Sequence, residues 1–299
     1  METVYVLHSS EHVLLCTGFK QWLGTLNYAE CSVYNLPRHV GEFLHYQEQR
    51  GKKGLQQLMA ADATSYIDKL KIQTGIRTGR GYSAGHINKY VQALQLFSRY
   101  LRETGKSGIG FNLEWLEDSR NKPIWLTVQE IQQLYETTDD SVLGLRDQAM
   151  LAVFYGCGLR LNEGASLEVG DIITDRRLLY VRKGKGYKER YVPIAGGSYE
   201  QLRLYIDHAR SQLLQTSSQM LFIGANKGVM LTKQSLYVRI KLLAKKAGLI
   251  KNIGTHTLRH SIATHLLQSG MSLEQIQEFL GHEVLDSTQI YTHLINDTI

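Results

Sequence analysis

The chain has 299 residues, 43% hydrophobic and 21% charged, with 34 Lys and Arg against 28 Asp and Glu, a net charge of +6 and a pI of about 9.0. This is the composition of a globular protein with room for one buried core and more naturally two. Three cysteines without CxxC spacing, Cys16, Cys31 and Cys157, argue against a disulfide framework and a cysteine zinc site. The absence of any long apolar run argues against a membrane span or a secretory leader. The expectation is a soluble, cytoplasmic protein.

The charge is unevenly spread. From Lys69 to Lys106 there are eight basic residues and one acid, Glu103; from Arg176 to Arg190 there are seven and one acid, Glu189. Two local clusters on an otherwise balanced chain point to a polyanion partner, with solvated faces as the competing reading.

In chain order, Val13, Leu14, Phe19, Trp22, Leu23 and Leu26 suit a short amphipathic helix, although residues 1–30 are otherwise hard to place. Ser32 reads as the N-cap of a second helix bearing Leu36, Val40, Phe43, Leu44 and Tyr46, with Pro37 in its first turn or at a kink. A third helix is expected over Asp62 to Leu70. Ser83 then caps the clearest helix of this half, with Ile87, Tyr90, Val91, Leu94, Phe97 and Leu101 as its apolar stripe. Lys89, Gln92 and Arg99 lie off that stripe, on a face that suits a DNA groove or plain solvent.

The stretch GKSGIGFNLEWLEDSRNKP breaks the helical period. It divides the chain into an all-helical domain over 1–117, a linker near 115–123 and a second domain over 123–299. Thr127 caps the next helix, which carries Ile131, Leu134 and Tyr135. Arg146 to Tyr155 is nearly apolar all round and reads as buried. That helix runs into GCGLRLNEG, where Arg160 so near a core needs an anion or a partner, and Glu163 stands three residues on. Leu179 and Val181, then Tyr191, Val192 and Ile194, read as two strands around a Gly184-Lys185-Gly186 turn. Arg182, Lys183, Lys185, Lys188 and Arg190 crowd that hairpin, as phosphate ligands or as lysine guards of a solvated edge.

Helices follow over Tyr199 to Leu214 and Thr232 to Ala247, then one capped by Thr255 and running to about Gln268. His256, Arg259 and His260 lie in its first two turns. Ser272 caps a helix to Leu280, Gly281 ends it, and His282 follows; a last helix from about Ser287 carries Tyr291. The fold class is therefore two domains, all-α followed by mainly α with a small antiparallel hairpin.

Arg160 and Arg259 can each present a planar fork to phosphate, and together stabilise a five-coordinate transition state. There is no carboxylate cluster of the two-metal kind. Tyr291, with an ordinary pKa of about 10, needs a base or strong phosphate polarisation to act as a nucleophile, and a nearby histidine suits the first role. Lys185 on its hairpin suits proton donation to a departing oxygen. His256 and His260 stand four apart, but the intervening residues include Arg259 and no HExxH glutamate, so a zinc site is not expected.

The joint pattern of GLRLNE, a GKG hairpin, HTLRH, LGH and a tyrosine nine residues on resembles the tyrosine recombinase (phage integrase) family, nearest the Xer-type recombinases and mobile-element integrases. The resemblance is most specific from Arg146 to His293. It implies the tyrosine recombinase catalytic fold behind a DNA-clamping, core-binding domain. It implies that Arg160, His256, Arg259 and His282 hold and activate the scissile phosphate, with Glu163 in support. It also implies that Lys185 protonates the leaving 5′-hydroxyl, with Lys183 a less apt substitute. Tyr291 would form the 3′-phosphotyrosyl link. His260 is assigned to structure. No metal or other cofactor is implied. The partners implied are a double-stranded DNA recombination site and a homotetramer on two sites, or a hetero-tetramer with a related recombinase.

One departure is that only eight residues follow Tyr291, where many relatives carry a longer helix that docks on a neighbouring subunit. Residues 1–30 are a candidate for that contact instead. Two other readings compete: a type IB topoisomerase-like nicking-closing enzyme, and a DNA-binding protein without cleavage activity.

Overall fold

The computed structural model describes residues 5–74, 81–117, 124–182, 189–225 and 228–281. The chain divides into two compact units, Met1–Arg120 and Asn121–Ile299. No helix among the described residues is long and apolar enough to cross a membrane.

The first unit is helical: α1 (Ser10–Thr25), α2 (Glu30–Gln49), α3 (Ala60–Ile72) and α4 (Ala84–Glu103). Helix α1 forms, but in a different phase from the expected stripe. His12, Leu15, Phe19 and Leu23 are buried, while Leu14 is 71% exposed and Val13 and Leu26 are 44% exposed. The phase is set by what Phe19 meets, the rings of Phe97 and Tyr100 on α4 at 5.5 and 5.7 Å. His12 is drawn inward by Glu48 on α2, Nδ1 to Oε1 at 3.0 Å. Helix α2 begins before the expected Ser32 cap, with Ala29 at the N-cap, and runs through Pro37. The proline forfeits one main-chain hydrogen bond but is itself buried, and packing on both sides holds the helix together.

Helix α4 matches its expected stripe, and Ser83 accepts from the His86 N–H at its start. Lys89, Gln92 and Arg99 are exposed on the other face. The irregular segment after α4 is stitched to it by side chains. Ser98 Oγ donates to the Ile109 carbonyl and accepts from the Phe111 N–H, and Asn88 exchanges two bonds with Leu116. The segment that breaks the helical period thus lies along α4 as far as Leu116, with side chains of α4 taking several of its backbone groups in place of secondary structure.

The second unit opens with α5 (Val128–Glu136), capped reciprocally by Thr127 and Glu130 as the T-x-x-E pattern favours. Helix α6 (Val142–Leu151) starts earlier than expected, capped by Ser141, and continues into a π-helical turn over Ala152–Gly156. It is buried as its composition demands, but two charges go in with it. Asp147 accepts from Nε and Nη2 of Arg239, and Arg146 Nη1 donates to the Ile223 carbonyl at 3.1 Å.

After the short α7 (Leu161–Ala165) comes a three-stranded antiparallel sheet in the order β1-β2-β3: β1 (Ile172–Ile173), β2 (Leu178–Val181) and β3 (Arg190–Pro193). The two expected strands are β2 and β3, with Leu179 opposite Val192 and both fully buried. The additional strand, β1, is only two residues long and carries no alternation to read. The residues of the turn, 183–188, lie outside the described residues.

Helices α8 (Gly196–Leu204) and α9 (Arg210–Leu213) run on through a second π turn, Tyr205–Ala209. Then follow α10 (Lys233–Lys246), α11 (Thr255–Gln268) and α12 (Leu273–Leu280). Gly254, one residue before the expected Thr255, takes the N-cap position of α11. Phe154, Leu159, Leu179, Leu202, Tyr205 and Leu258 are among the residues of the unit's core.

Candidate active site

The site is built where three chain segments meet: the end of the π turn with α7, the start of α11, and the end of α12. The wide turn delivers the chain to Gly158, whose φ of +60° lies in the left-handed region. A Cβ there would stand 2.8 Å from Leu280 Cδ2 and 3.3 Å from both Ile262 and Phe279, so only glycine lets α11 and α12 close on this point. Two residues later Arg160 takes the N-cap position of α7. Its backbone N–H donates to Glu163 Oε2 and its Nη1 to Glu163 Oε1, both at 2.9 Å.

Glu163 is buried and holds a second guanidinium. Arg190, at the start of β3, donates Nη1 to Oε1 at 3.1 Å and Nη2 to Oε2 at 3.0 Å. Burial pushes the Glu163 carboxyl up. The hydrogen bonds and charge of Arg190, with those of Arg160, outweigh that and hold it down at about 2. The expected Arg160–Glu163 pair is present, then, but within a triad.

The remaining anchors are backbone carbonyls. Arg160 Nη2 donates to the Gly281 carbonyl at 3.0 Å. Arg259 is buried on α11 and donates Nη1 to the Gly158 carbonyl at 2.5 Å and Nη2 to the Leu280 carbonyl at 2.7 Å. These carbonyls help orient both guanidiniums without adding a full negative charge, while the Glu163 carboxylate divides its charge between Arg160 and Arg190.

His256, on the first turn of α11, opens to solvent. Partial loss of hydration, then the charges of Arg259 and Arg160, lower its pKa below the ordinary histidine value. It is therefore neutral at pH 7 and able to accept a proton. His260 is also held below its ordinary value, by burial and then by His256 and Arg259. His265, a turn further on, pairs with Tyr155, Nδ1 to the phenol oxygen at 2.9 Å.

Arg160, Glu163, His256 and Arg259 are thus brought together from segments far apart in sequence. Lys183, Lys185, Lys188, His282 and Tyr291 lie outside the described residues. Of the basic residues read as DNA contacts, Arg190 turns inward to Glu163, with its side chain 12% exposed. Arg182 bridges Glu168 at 2.6 Å and Asp171 at 2.7 Å. Arg99 pairs with Glu103 at 2.7 Å on the exposed face of α4. Gly158 is a site residue that the sequence reading does not single out, and Arg190 is one that it assigns to DNA rather than to Glu163. For Gly158, the Gly-Cys-Gly signal before Arg160 was visible. For Arg190, membership in a basic hairpin concealed an inward pairing. No group of three or more His, Cys, Asp or Glu side chains positioned to hold a metal ion occurs among the described residues.

A model of the phage integrase family matches residues 124–297. The chain is 37% identical over 218 residues to tyrosine recombinase XerD of Listeria monocytogenes, covering 72% of this chain and 73% of that protein. It is 32% identical over 277 residues to tyrosine recombinase XerC of Anoxybacillus flavithermus, covering 91% and 89%. Among solved structures it resembles the XerH site-specific recombinase bound to palindromic difH substrate, with a TM-score of 0.72 at 20% identity over 98% of this chain and 95% of that one. It also resembles the Tn1549 transposon integrase in complex with transposon right-end DNA, with a TM-score of 0.74 at 17% identity over 93% and 94%. At these identities the structures bear on the fold alone.

Proposed function

The chain belongs to the phage integrase family of tyrosine recombinases, and from that premise we propose that it cuts and rejoins double-stranded DNA at a specific site through a covalent 3′-phosphotyrosyl intermediate. Tyr291 attacks the scissile phosphorus and expels the 5′ oxygen. Arg160 and Arg259 share the charge that builds on the non-bridging oxygens, so the chemistry asks for no metal ion and no nucleotide. His256, neutral at pH 7, takes the tyrosine proton. His282 donates to the phosphate, and Lys185 gives a proton to the departing 5′-hydroxyl. Rejoining reverses these steps, because the phosphotyrosine conserves the energy of the broken bond.

The observation that carries this reading is that Arg160 and Arg259 are anchored on the adjacent carbonyls of Gly281 and Leu280, with His256 open to solvent one turn before Arg259 on α11. A neutral base beside two fixed guanidiniums suits in-line attack on a phosphodiester. The XerH and Tn1549 structures named above are complexes with their DNA, which supports DNA as the substrate here. The first unit, with Lys89, Gln92 and Arg99 on the open face of α4, serves as the core-binding domain. Lys183, Lys188 and Arg182 add contacts from the hairpin. Four copies, or two of this chain and two of a relative, hold two sites for strand exchange in the cytoplasm.

The test is a suicide substrate, a candidate recombination site nicked beside the scissile phosphate so that the cleaved fragment diffuses away. The chain should form a covalent adduct in the presence of EDTA, and Tyr291→Phe should abolish it. An adduct that survives in the phenylalanine variant, or one that needs a divalent metal, would sink the mechanism. Lys185→Ala should slow cleavage, and a 5′-bridging phosphorothiolate, whose sulfur leaves without a proton, should restore it.

A further inference from the structure

The first described residues of the second unit are fastened to the helix that carries His256 and Arg259. Leu126 is fully buried, and its backbone N–H donates to Ser261 Oγ at 2.8 Å. Ser261 is fully buried too, and its hydroxyl donates to the carbonyl of Thr257, one turn back on α11, at 2.8 Å. Thr257 sits between His256 and Arg259 in the chain. Flanking contacts repeat the attachment. Trp125 stands edge-on to His265 with ring centroids 6.1 Å apart, and Lys251, just ahead of α11, donates to the Trp125 carbonyl at 3.1 Å.

A serine inside a helix commonly bonds back to the carbonyl four residues earlier and gains little from it. Here the same oxygen also accepts a main-chain N–H from 135 positions away. Without Ser261 that N–H would lose this acceptor in a place closed to water. The segment that supplies it, residues 124–126, is the first described stretch of the second unit. One buried hydroxyl is therefore the joint between the incoming chain and the helix of the candidate site.

Building on the recombinase reading above, we infer that Ser261 is a positioning residue for DNA cleavage. It sets the register of α11, and with it His256 and Arg259, against residues 124–126 at the start of the second unit. Displacements of about 1 Å at reacting groups cost on the order of 10²-fold in rate, so the joint need move little to matter.

The test is a double-mutant cycle in the full chain, read as single-turnover adduct formation on the suicide substrate at saturating protein. One change is Ser261→Ala. The other is Trp125→Ala, which removes the edge contact to His265 made by the same segment. Each change alone should slow adduct formation by about 10-fold or more while the dissociation constant for the substrate stays within about 2-fold, and the double variant should be no slower than the slower single one. A double variant slowed by the product of the two effects would overturn the inference, as would wild-type cleavage in Ser261→Ala. If the alanine variant is unfolded at the assay temperature, Ser261→Cys replaces it with the same expected outcomes. Cysteine fills the space with a much weaker acceptor. Failure of the unmodified chain to form any adduct would count against the recombinase reading itself.

Discussion

Arg190 closes on Glu163 with both terminal nitrogens, at 3.1 and 3.0 Å, so the carboxylate behind Arg160 is shared with a guanidinium from the sheet. Glu163→Gln removes the negative charge that lies between two half-buried cations, Arg160 and Arg190. The expected loss of stability is about 2–4 kcal/mol by urea unfolding at pH 7. Because the folded-state pKa is depressed, that contribution is full above the ordinary value of 4.5 and lost as the pH falls toward about 2. The gap between wild type and variant should therefore narrow steadily below about pH 4. A gap as wide in strong acid as at neutrality would mean that the carboxylate charge is not what holds the two arginines.

His256 sets a second expectation. Lost hydration and then Arg259 and Arg160 lower its pKa, so the neutral, proton-accepting form persists below the ordinary 6.5. The rate of adduct formation should stay level through neutrality and fall only on the acid side of that value. His256→Gln should lower the plateau by about 10²–10⁴-fold and remove the acid limb. A limb centred above 6.5, or one that survives the substitution, would assign the base to another group.

Gly158→Ala places a methyl group against Leu280, Ile262 and Phe279 at a φ of +60°. Strain and crowding together should cost about 2–4 kcal/mol, seen as a lower melting temperature. The same residue's carbonyl orients Arg259. Cleavage should accordingly suffer more than folding does, when assayed at a temperature where both proteins are fully folded. Equal activity per folded molecule would remove Gly158 from the site.

On the first unit, Lys89 is exposed on α4. Lys89→Ala should weaken DNA binding about equally for cognate and unrelated sequences, and should reduce the slope of log affinity against log salt by about one. Arg99→Ala should do less, because its guanidinium is already shared with Glu103. An unchanged salt slope in Lys89→Ala would turn that face of α4 away from the phosphates.

Local signals were legible in the sequence, and long-range pairings were not. Ser83, Thr127 and Ser272 cap their helices as expected, because a cap depends on residues three apart, whereas Ala29 and Gly254 take the N-cap positions expected of Ser32 and Thr255. The stripe of α1 was misread because Leu14 and Leu15 are equally apolar, and only the rings of Phe97 and Tyr100 choose between phases. The helix that looked apolar carries Asp147, which is stable there because Arg239 reaches it from 92 positions away. Arg160, Glu163, His256 and Arg259 stood out by type and spacing. The carbonyls that aim the arginines have no side-chain signature, since every residue owns one.

The π turn at Ala152–Gly156 has a cost of its own. Its N–H from Cys157 reaches back five residues to Ala152, so the stretch holds one residue more than ordinary winding requires. Removing that residue would leave a more regular helix, yet would rotate everything beyond it by about 100°. Arg160 would then point away from Gly281, and Gly158 would no longer face α11 and α12. Regular winding and the aim of the arginine are in conflict here. In this stretch the number of residues is a constraint in its own right, beside the identity of glycines such as Gly158.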